Sequence, residues 1–167
     1  LLVGKGHNGG DALIATRALL QRYLMAQVEV CFVFGERSLR PLAQRAWRDL
    51  LQSAAHRVVV RQSDDALGSY ELCLDGVFGF QFRPPMDTAV GRLFAHVNRC
   101  PIKLRAAIDL PSGLDAPDAF RGDFTYATGI VKRPLLTLPN AGRLRFIACA
   151  ASSQLLNRPE MSFGRTE

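Results

Sequence analysis

The sequence predicts an α/β domain, in which a mostly parallel sheet carries helices on both faces. Short apolar runs alternate with segments whose apolar residues recur at helical spacing. The first apolar run passes through a glycine-rich turn directly into a helical pattern, which is typical of a strand-turn-helix unit. The chain has 167 residues, of which 48% are hydrophobic, so it fits one domain with a substantial core.

The individual elements follow from the same pattern, taken in chain order. Residues 1–3 form a strand, and a turn over residues 4–11 leads into a helix over residues 12–20. A helix is predicted over 41–55, and the side chains expected to face the core are those of Leu42, Ala46, Leu50 and Leu51. The other predicted elements are a helix over 88–97 and strands at 28–34, 58–60, 70–74, 104–110, 124–128, 135–138 and 144–148. Residues 1–150 are predicted to be the domain, and residues 151–167 a tail or linker without clear periodicity.

The composition favours a cytoplasmic protein that binds neither membranes nor nucleic acid. No apolar run approaches the roughly 20 residues that a membrane-spanning helix needs. The net charge of +6 comes mostly from arginines, but these are scattered and no aromatic RNA-binding motif accompanies them. Disulfide or metal-ligand spacing is absent, so we expect reduced core thiols at Cys31, Cys73, Cys100 and Cys149.

Polar residues follow three of the predicted strands. Asn8 and Asp11 lie in the first turn, Asp75 follows the fourth strand, and the fifth leads to Asp109 and Ser112. In open α/β sheets, ligands bind in the crevice beyond the carboxyl ends of the strands. The three groups are therefore predicted to converge on one pocket.

The chemistry of these residues fits such a pocket. Asn8, Asp75 and Ser112 offer hard oxygen ligands for a cation such as K⁺, Na⁺ or Mg²⁺. A carboxylate at a strand end, such as Asp109, can act as a general acid or base. Any one of these aspartates could instead be a turn former or a helix N-cap, but the coincidence of three favours a site. The glycines alone would also fit a phosphate at a helix N-terminus.

The roles of five other polar side chains are less clearly indicated by the sequence. His7 either touches a ligand or stabilises the turn, and Arg83 is either a phosphate contact or an ordinary surface arginine. Lys132 is predicted to be a solvated charge, and His56 and His96 to lie at the surface or the edge of the core.

With its three motifs in this order, the chain resembles the NAD(P)H-hydrate epimerase family, also called the YjeF N-terminal domain. The family's marks are G-x-G-N-N-G-G-D, D-x-x-F-G and D-[IL]-P-S-G. Here they read GKGHNGGD at 4–11, DGVFG at 75–79 and DLPSG at 109–113, and the match extends from Leu1 to Ile147. The resemblance implies a Rossmann-like three-layer α/β/α sandwich. It also implies epimerisation of the R and S forms of hydrated NADH and NADPH (NAD(P)HX) in nicotinamide cofactor repair.

The resemblance further implies roles for individual residues. One K⁺ per subunit would be bound by Asn8, Asp75 and Ser112. Asp109 would contact the reacting ring, and we assign it the acid/base role because the hydrate is a hemiaminal that needs one proton shuttle. The first turn would hold the substrate through His7, Asn8, Gly9, Gly10 and Asp11. The loop after Asp75 would embrace the phosphates of the substrate through Gly79, Phe80, Gln81, Phe82, Arg83, Pro84 and Pro85.

The chain departs from the family pattern at two places within the motifs. His7 replaces the first Asn of the family pair, and the loop carrying Gln81 lacks the glycine-rich form of many bacterial members. The helices that precede the first strand in the family are expected to be missing here. The implied partners are NAD(P)HX, a second copy in a homodimer of the full-length chain, and an NAD(P)HX dehydratase, which residues 158–160 could join as a linker.

Two other functions fit parts of the sequence. The same fold serves as a non-catalytic ligand-binding or dimerisation module in messenger-RNA decapping scaffolds, but such a module has no need of the cation ligands and Asp109. An ordinary NAD(P) dehydrogenase would use Gly4, Gly6 and Gly9, with Glu36 near the ribose. That function leaves the Asp109 motif unexplained.

Overall fold

Seven parallel strands form one sheet in the order β3-β2-β1-β4-β5-β6-β7 in the computed structural model, which describes residues 1–148. The strands are β1 Leu2–Val3, β2 Val28–Phe32, β3 Val58–Arg61, β4 Tyr70–Gly76, β5 Ile102–Ile108, β6 Phe124–Thr128 and β7 Arg143–Ile147. In the register, Leu2 pairs with Cys31 of β2 on one side and with Asp75 of β4 on the other. The strand order reverses between β1 and β4, so a crevice opens beyond their carboxyl ends.

Three α-helices cover the two faces of the sheet: α1 His7–Arg22, α2 Pro41–Ala54 and α3 Thr88–Arg99. Helices α1 and α2 lie on one face, where Leu13 and Leu50 pack with Val3 of β1. Helix α3 lies on the other, where Phe94 packs with Leu2. Leu2 and Val3 enter different clusters because successive side chains of a strand point to opposite faces. The predicted three-layer α/β/α Rossmann-like fold is confirmed, and the described sheet is parallel throughout.

Local sequence explains where two of these helices begin. Pro41 opens α2, where its missing N–H would have no intrahelical partner anyway. Asp87 caps α3, and its carboxylate accepts a hydrogen bond from the Ala89 N–H at 2.7 Å. The buried stripe of α3 includes Val90, Phe94 and Val97, at the helical spacing that predicted this element.

Helix α1 begins at His7, earlier than predicted. A Cβ on Gly9 would lie 2.0 Å from the carbonyl oxygen of Gly4, so only glycine lets the helix start this close to β1. Residues 7–11 therefore belong to the first turns of α1, and the predicted turn is wrong beyond Gly6.

Three further predictions are wrong in detail. No strand forms over the predicted residues 135–138: Arg133–Leu136 is a 3-10 helix, and Pro134 and Pro139 on either side lack the N–H that a central strand must donate. Leu42 is 62% exposed, and Trp47 is buried on the inward face of α2. Asp75 lies within β4 instead of after it. The remaining short helices are Glu36–Ser38, Ala55–Arg57 and Pro139–Ala141.

The described cysteines are free thiols, as predicted. Cys31 and Cys73 are buried and Cys100 is half-buried, and burial raises the pKa of Cys73 to about 11. Cys149 and the predicted tail lie outside the described residues. Within residues 1–148, no helix has both the length and the apolar character needed to cross a membrane.

Candidate active site

A cleft of about 520 Å³ opens at the carboxyl edge of the sheet, where the strand order reverses between β1 and β4. Its walls come from the start of α1, the loop after β4 and the segments that follow β5 and β6. The predicted site residues that line it are His7, Asn8, Asp11, Gly79, Phe80, Gln81, Phe82 and Asp109. The structure thus brings side chains from all three motifs to one place.

The segment between β1 and α1 packs directly against the loop after β4. A Cβ on Gly4 would lie 1.9 Å from the carbonyl oxygen of Val77, so the two segments touch through their backbones. This approach lets the Asn8 side chain donate a hydrogen bond from Nδ2 to the Phe78 carbonyl at 2.7 Å. Gly9 is buried against Gly4 and Gly10 against Ala43 of α2, and neither lines the cleft.

Asp75 lies fully buried beneath the cleft and joins two of the loops. Its Oδ1 accepts hydrogen bonds from Ser112 Oγ at 2.7 Å and from the Val77 N–H at 3.1 Å. Its Oδ2 accepts from the Ser112 N–H at 2.8 Å. Ser112 Oγ also accepts from the Phe78 N–H at 2.8 Å. The loops after β4 and β5 therefore behave as one hydrogen-bonded unit.

The buried carboxylate of Asp75 has no cationic partner within 4 Å among residues 1–148. Burial raises its pKa to about 6, although hydrogen bonds from Ser112 and Val77 lower it. An uncompensated buried charge of this kind is costly unless an ion or a proton neutralises it. The neighbouring hydroxyl of Ser112, the amide of Asn8 and the carbonyl of Phe78 are hard ligands that suit an alkali or alkaline-earth cation.

Asp109 lies at the base of the cleft, directly after β5. Its backbone has φ 70°, a left-handed conformation that residues other than glycine seldom adopt and that clusters at functional sites. Its Oδ2 accepts a hydrogen bond from the Phe80 N–H at 2.9 Å, and its Oδ1 accepts one from Thr128 Oγ1 at 3.1 Å. The carboxylate is thus held from both sides while it faces the cleft.

Lys132 forms an ion pair with Asp109. Its Nζ also donates a hydrogen bond to the Thr128 carbonyl at 2.6 Å, and only 9% of its side chain is exposed. The prediction that Lys132 is a solvated charge is therefore wrong. Lys132 lies four residues after β6, and Asp109 directly follows the neighbouring strand β5, so the ion pair joins these two segments. A buried pair persists where both charges are also hydrogen-bonded, as they are here.

His7 and Asp11 stand at the mouth of the cleft, and both are exposed. The atoms packed around the Asp11 carboxyl raise its pKa through partial desolvation, His7 lowers the pKa and Asp109 raises it. The His7 side chain makes no hydrogen bond within the part of the chain that the structure describes, which favours ligand contact over turn stabilisation. His56 and His96 are exposed, in agreement with their predicted surface position.

The loop after β4 divides into two parts. Residues 79–82 line the cleft, whereas Arg83, Pro84 and Pro85 do not. Arg83 Nη1 donates hydrogen bonds to the carbonyls of Phe80 and Phe82 at 3.1 and 2.8 Å, so it braces the loop.

An aromatic wall, formed by Phe34, Phe78 and Phe82, lines the same side of the cleft. Phe78 stacks on Phe82 with ring centroids 4.4 Å apart and lies 5.8 Å from Phe34. Flat apolar faces of this kind can contact a base or a nicotinamide ring.

Besides Val77 and Phe78 of the DGVFG motif, sequence reasoning missed five lining side chains: Lys5, Phe34, Arg40, Thr128 and Lys132. Thr128 is the last residue of β6, and the other four lie in the segments that follow β1, β2 and β6. The rule that ligands bind beyond strand ends, applied to every strand instead of three, would have selected these segments.

Comparison with known proteins places the chain in a family. A family model described as YjeF-related protein N-terminus matches residues 1–133, a span that contains all three motifs and Lys132. The chain belongs to this family. Its YjeF-related fold therefore covers most of the residues that the structure describes.

Curated relatives of this YjeF-related chain carry related names. The chain is 37% identical over 142 residues to the bifunctional NAD(P)H-hydrate repair enzyme Nnr of Gloeobacter violaceus, covering 81% of the chain and 27% of that protein. It is 36% identical over 117 residues to the NAD(P)H-hydrate epimerase of Bordetella pertussis strain CS, covering 69% and 47%. The epimerase of Paramecium tetraurelia is 26% identical over 147 residues, covering 85% and 56%. The chain thus spans between 27% and 56% of the length of these relatives.

Proposed function

We propose that this protein interconverts the R and S epimers of hydrated NADH and NADPH as part of nicotinamide cofactor repair. The observation that carries the proposal is the buried Asp109–Lys132 ion pair at the base of a cleft that the three family motifs surround. Membership of the YjeF-related family and the names of the curated relatives support it.

The reaction removes a hydroxyl from one carbon and returns it to the opposite face. It therefore needs a proton donor for the leaving oxygen and a proton acceptor for the adding water. In the hydrate, the hydroxyl sits on the carbon next to the ring nitrogen. Its C–O bond breaks with the electron pair going to oxygen, which takes up a proton, while the nitrogen lone pair stabilises the cation left on carbon. Water then adds to the opposite face and returns a proton. Lys132 as ammonium is placed to donate the proton that the leaving hydroxyl takes up, and Asp109 as carboxylate accepts the proton of the adding water. Transfer of that proton from Asp109 to Lys132 across the ion pair then restores both groups.

We assign a bound K⁺ to the ligands beneath this pair. Asn8, Asp75 and Ser112, together with the Phe78 carbonyl, offer the oxygen ligands, and the uncompensated charge of Asp75 supports a cation there. When bound, the ion would add a fixed positive charge beside the substrate. Asn8 and Ser112 also hold the loop after β4 in position through Phe78.

Substrate contacts divide between direct and supporting residues. His7, Asn8, Asp11 and residues 79–82 line the cleft and are assigned to contact the substrate. Gly9 acts through its close packing on Gly4 and Gly10 through its contact with Ala43 of α2, both of which fix the start of α1. Arg83, Pro84 and Pro85 act through the shape of the loop.

The wider setting is part of the same proposal. A homodimer and a functional partnership with an NAD(P)HX dehydratase, fused or separate, fit an enzyme of cofactor repair, and we place it in the cytoplasm. A non-catalytic module would have no use for a buried acid–ammonium pair in an open cleft. A dehydrogenase would need Glu36 free for the ribose, whereas Glu36 Oε1 accepts a hydrogen bond from Trp47 Nε1 at 2.9 Å.

A coupled assay tests the proposal. A dehydratase specific for the S form is supplied with mixed NADHX epimers in K⁺ buffer, and consumption of the R form is followed with and without this protein. We expect acceleration by the wild type, none by Asp109→Asn, and full acceleration by Asp115→Asn, an exposed carboxylate outside the cleft. A folded full-length protein that gives no acceleration would contradict the proposed function.

A further inference from the structure

Two cations stand at the mouth of the cleft on the side away from Asp109. Lys5 follows β1, and its Nζ lies 4.9 Å from the ring centroid of Phe34. Arg40 precedes α2, and its backbone N–H donates a hydrogen bond to the Lys5 carbonyl at 2.8 Å, which joins the two segments. Both side chains line the cleft and are exposed. Neither has an acidic partner within 4 Å among residues 1–148.

Glu36, the acidic residue closest in sequence to Arg40, is directed away from the cleft. Glu36 is bound to Trp47 and does not line the cleft. In dinucleotide-binding sheets, an acidic residue after the second strand favours a free ribose hydroxyl, whereas an arginine accommodates a phosphate. Here the segment after β2 presents Arg40 to the cleft, so this end of the cleft is positive.

The cations and the reacting end of the cleft are far apart. Lys5 follows β1 and Asp109 follows β5, which are two strand spacings apart, or about 10 Å at ~4.8 Å per spacing, and the Arg40 backbone is hydrogen-bonded to Lys5. Only an extended ligand can reach both. Phe78 and Phe82 of the aromatic wall lie between them, since both follow β4, the strand between β1 and β5. A dinucleotide fits this arrangement, because its reacting ring stands at one end and its phosphates lie farther along the same extended molecule.

We propose that Lys5 and Arg40 bind a phosphate group of a dinucleotide whose reacting ring lies at Asp109. The phosphate is either the 2′-phosphate of the NADP form or the diphosphate bridge common to both forms. The planar fork of arginine and the ammonium of lysine both suit phosphate oxygens. The inference rests on the proposed function for the identity of the ligand. If the group is the 2′-phosphate, Lys5 and Arg40 distinguish NADPHX from NADHX; if it is the diphosphate, they bind both.

Isothermal titration calorimetry of the full chain with NADPH and with NADH tests this site. The variants are Lys5→Met and Arg40→Gln, and the matched controls are Lys103→Met and Arg37→Gln, exposed cations that do not line the cleft. We expect each site variant to weaken NADPH binding at least about tenfold, the loss of one charge-assisted contact, and the controls to bind like the wild type. A loss confined to NADPH assigns the 2′-phosphate, and an equal loss for both ligands assigns the diphosphate.

The outcomes also separate this inference from the proposed function. Site variants that bind both ligands as the wild type does, controls that lose as much affinity as the site variants, or a wild type that binds neither ligand would overturn the phosphate site. A chain that binds NADPH through Lys5 and Arg40 without epimerising NADPHX would contradict the proposed function alone.

Discussion

The ammonium of Lys132 and the carboxylate of Asp109 form an ion pair at the base of the cleft, with 9% and 11% of the two side chains exposed. The residues come from the segments that follow neighbouring strands, β6 and β5. Thr128 contacts both, through its hydroxyl on Asp109 and its carbonyl on Lys132. A proton donor and a proton acceptor therefore stand side by side where water is scarce.

Lys132→Met should lower kcat for NAD(P)HX epimerisation by about 100-fold or more, because general acid–base groups contribute on the order of 10² to 10⁴. Lys132→Arg keeps the charge and should retain more activity than Lys132→Met. The measurement is the coupled assay over a range of pH, with the melting temperature as a check on folding. A Lys132→Met variant that folds and keeps the wild-type kcat and pH profile would remove Lys132 from the mechanism.

Asp75 should make the stability of the protein depend on pH when K⁺ is absent. Burial raises its folded-state pKa from 3.8 to about 6, so between these values the folded state holds a proton that the unfolded state has lost. Stability should therefore fall as pH rises from 4 to 6, by up to about 3 kcal/mol at ~1.4 kcal/mol per pKa unit. Above pH 6 the folded protein stays destabilised by the full free energy of burying the Asp75 carboxylate, unless a cation offsets it.

Denaturant unfolding of the wild type and Asp75→Asn, in choline and in potassium buffers, measures this effect. The wild type should lose more stability than Asp75→Asn between pH 4 and 6, and K⁺ should restore stability at pH 7 in the wild type only. Parallel pH profiles for the two proteins, unaffected by K⁺, would contradict both the buried charge and the cation site.

The glycines of the first motif should differ sharply in their tolerance of alanine. A Cβ on Gly9 would lie 2.0 Å from a backbone oxygen, whereas a Cβ on Gly6 meets nothing within 4 Å. Gly6 also has φ −102°, which alanine adopts easily. Gly9→Ala should cost about 3 kcal/mol or prevent folding, and Gly6→Ala should change the unfolding free energy by less than about 1 kcal/mol. Equal effects in thermal unfolding would show that close packing does not explain this motif.

The layers of the fold could be predicted because they depend on local apolar patterns. Helix α3 could be identified from the spacing of Val90, Phe94 and Val97 alone. The rule that ligands bind beyond strand ends predicted that Asp75 and Asp109 lie at one edge of the sheet. Lys132 could not be placed in this way, because its contact with Asp109 depends on how the chain turns after β6. The strand predicted at 135–138 failed because apolar side chains there coincide with prolines on either side.

The most direct test of the central claim follows the two epimers without a second enzyme. NADPHX enriched in the R form is incubated with the full-length protein in K⁺ buffer, and the two forms are separated by liquid chromatography over time. We expect the R and S forms to approach equilibrium at a rate proportional to protein concentration, with Asp109→Asn no faster than buffer and Asp115→Asn equal to the wild type. Wild-type protein that leaves the spontaneous rate unchanged, or Asp109→Asn that is as fast as the wild type, would contradict the proposed function.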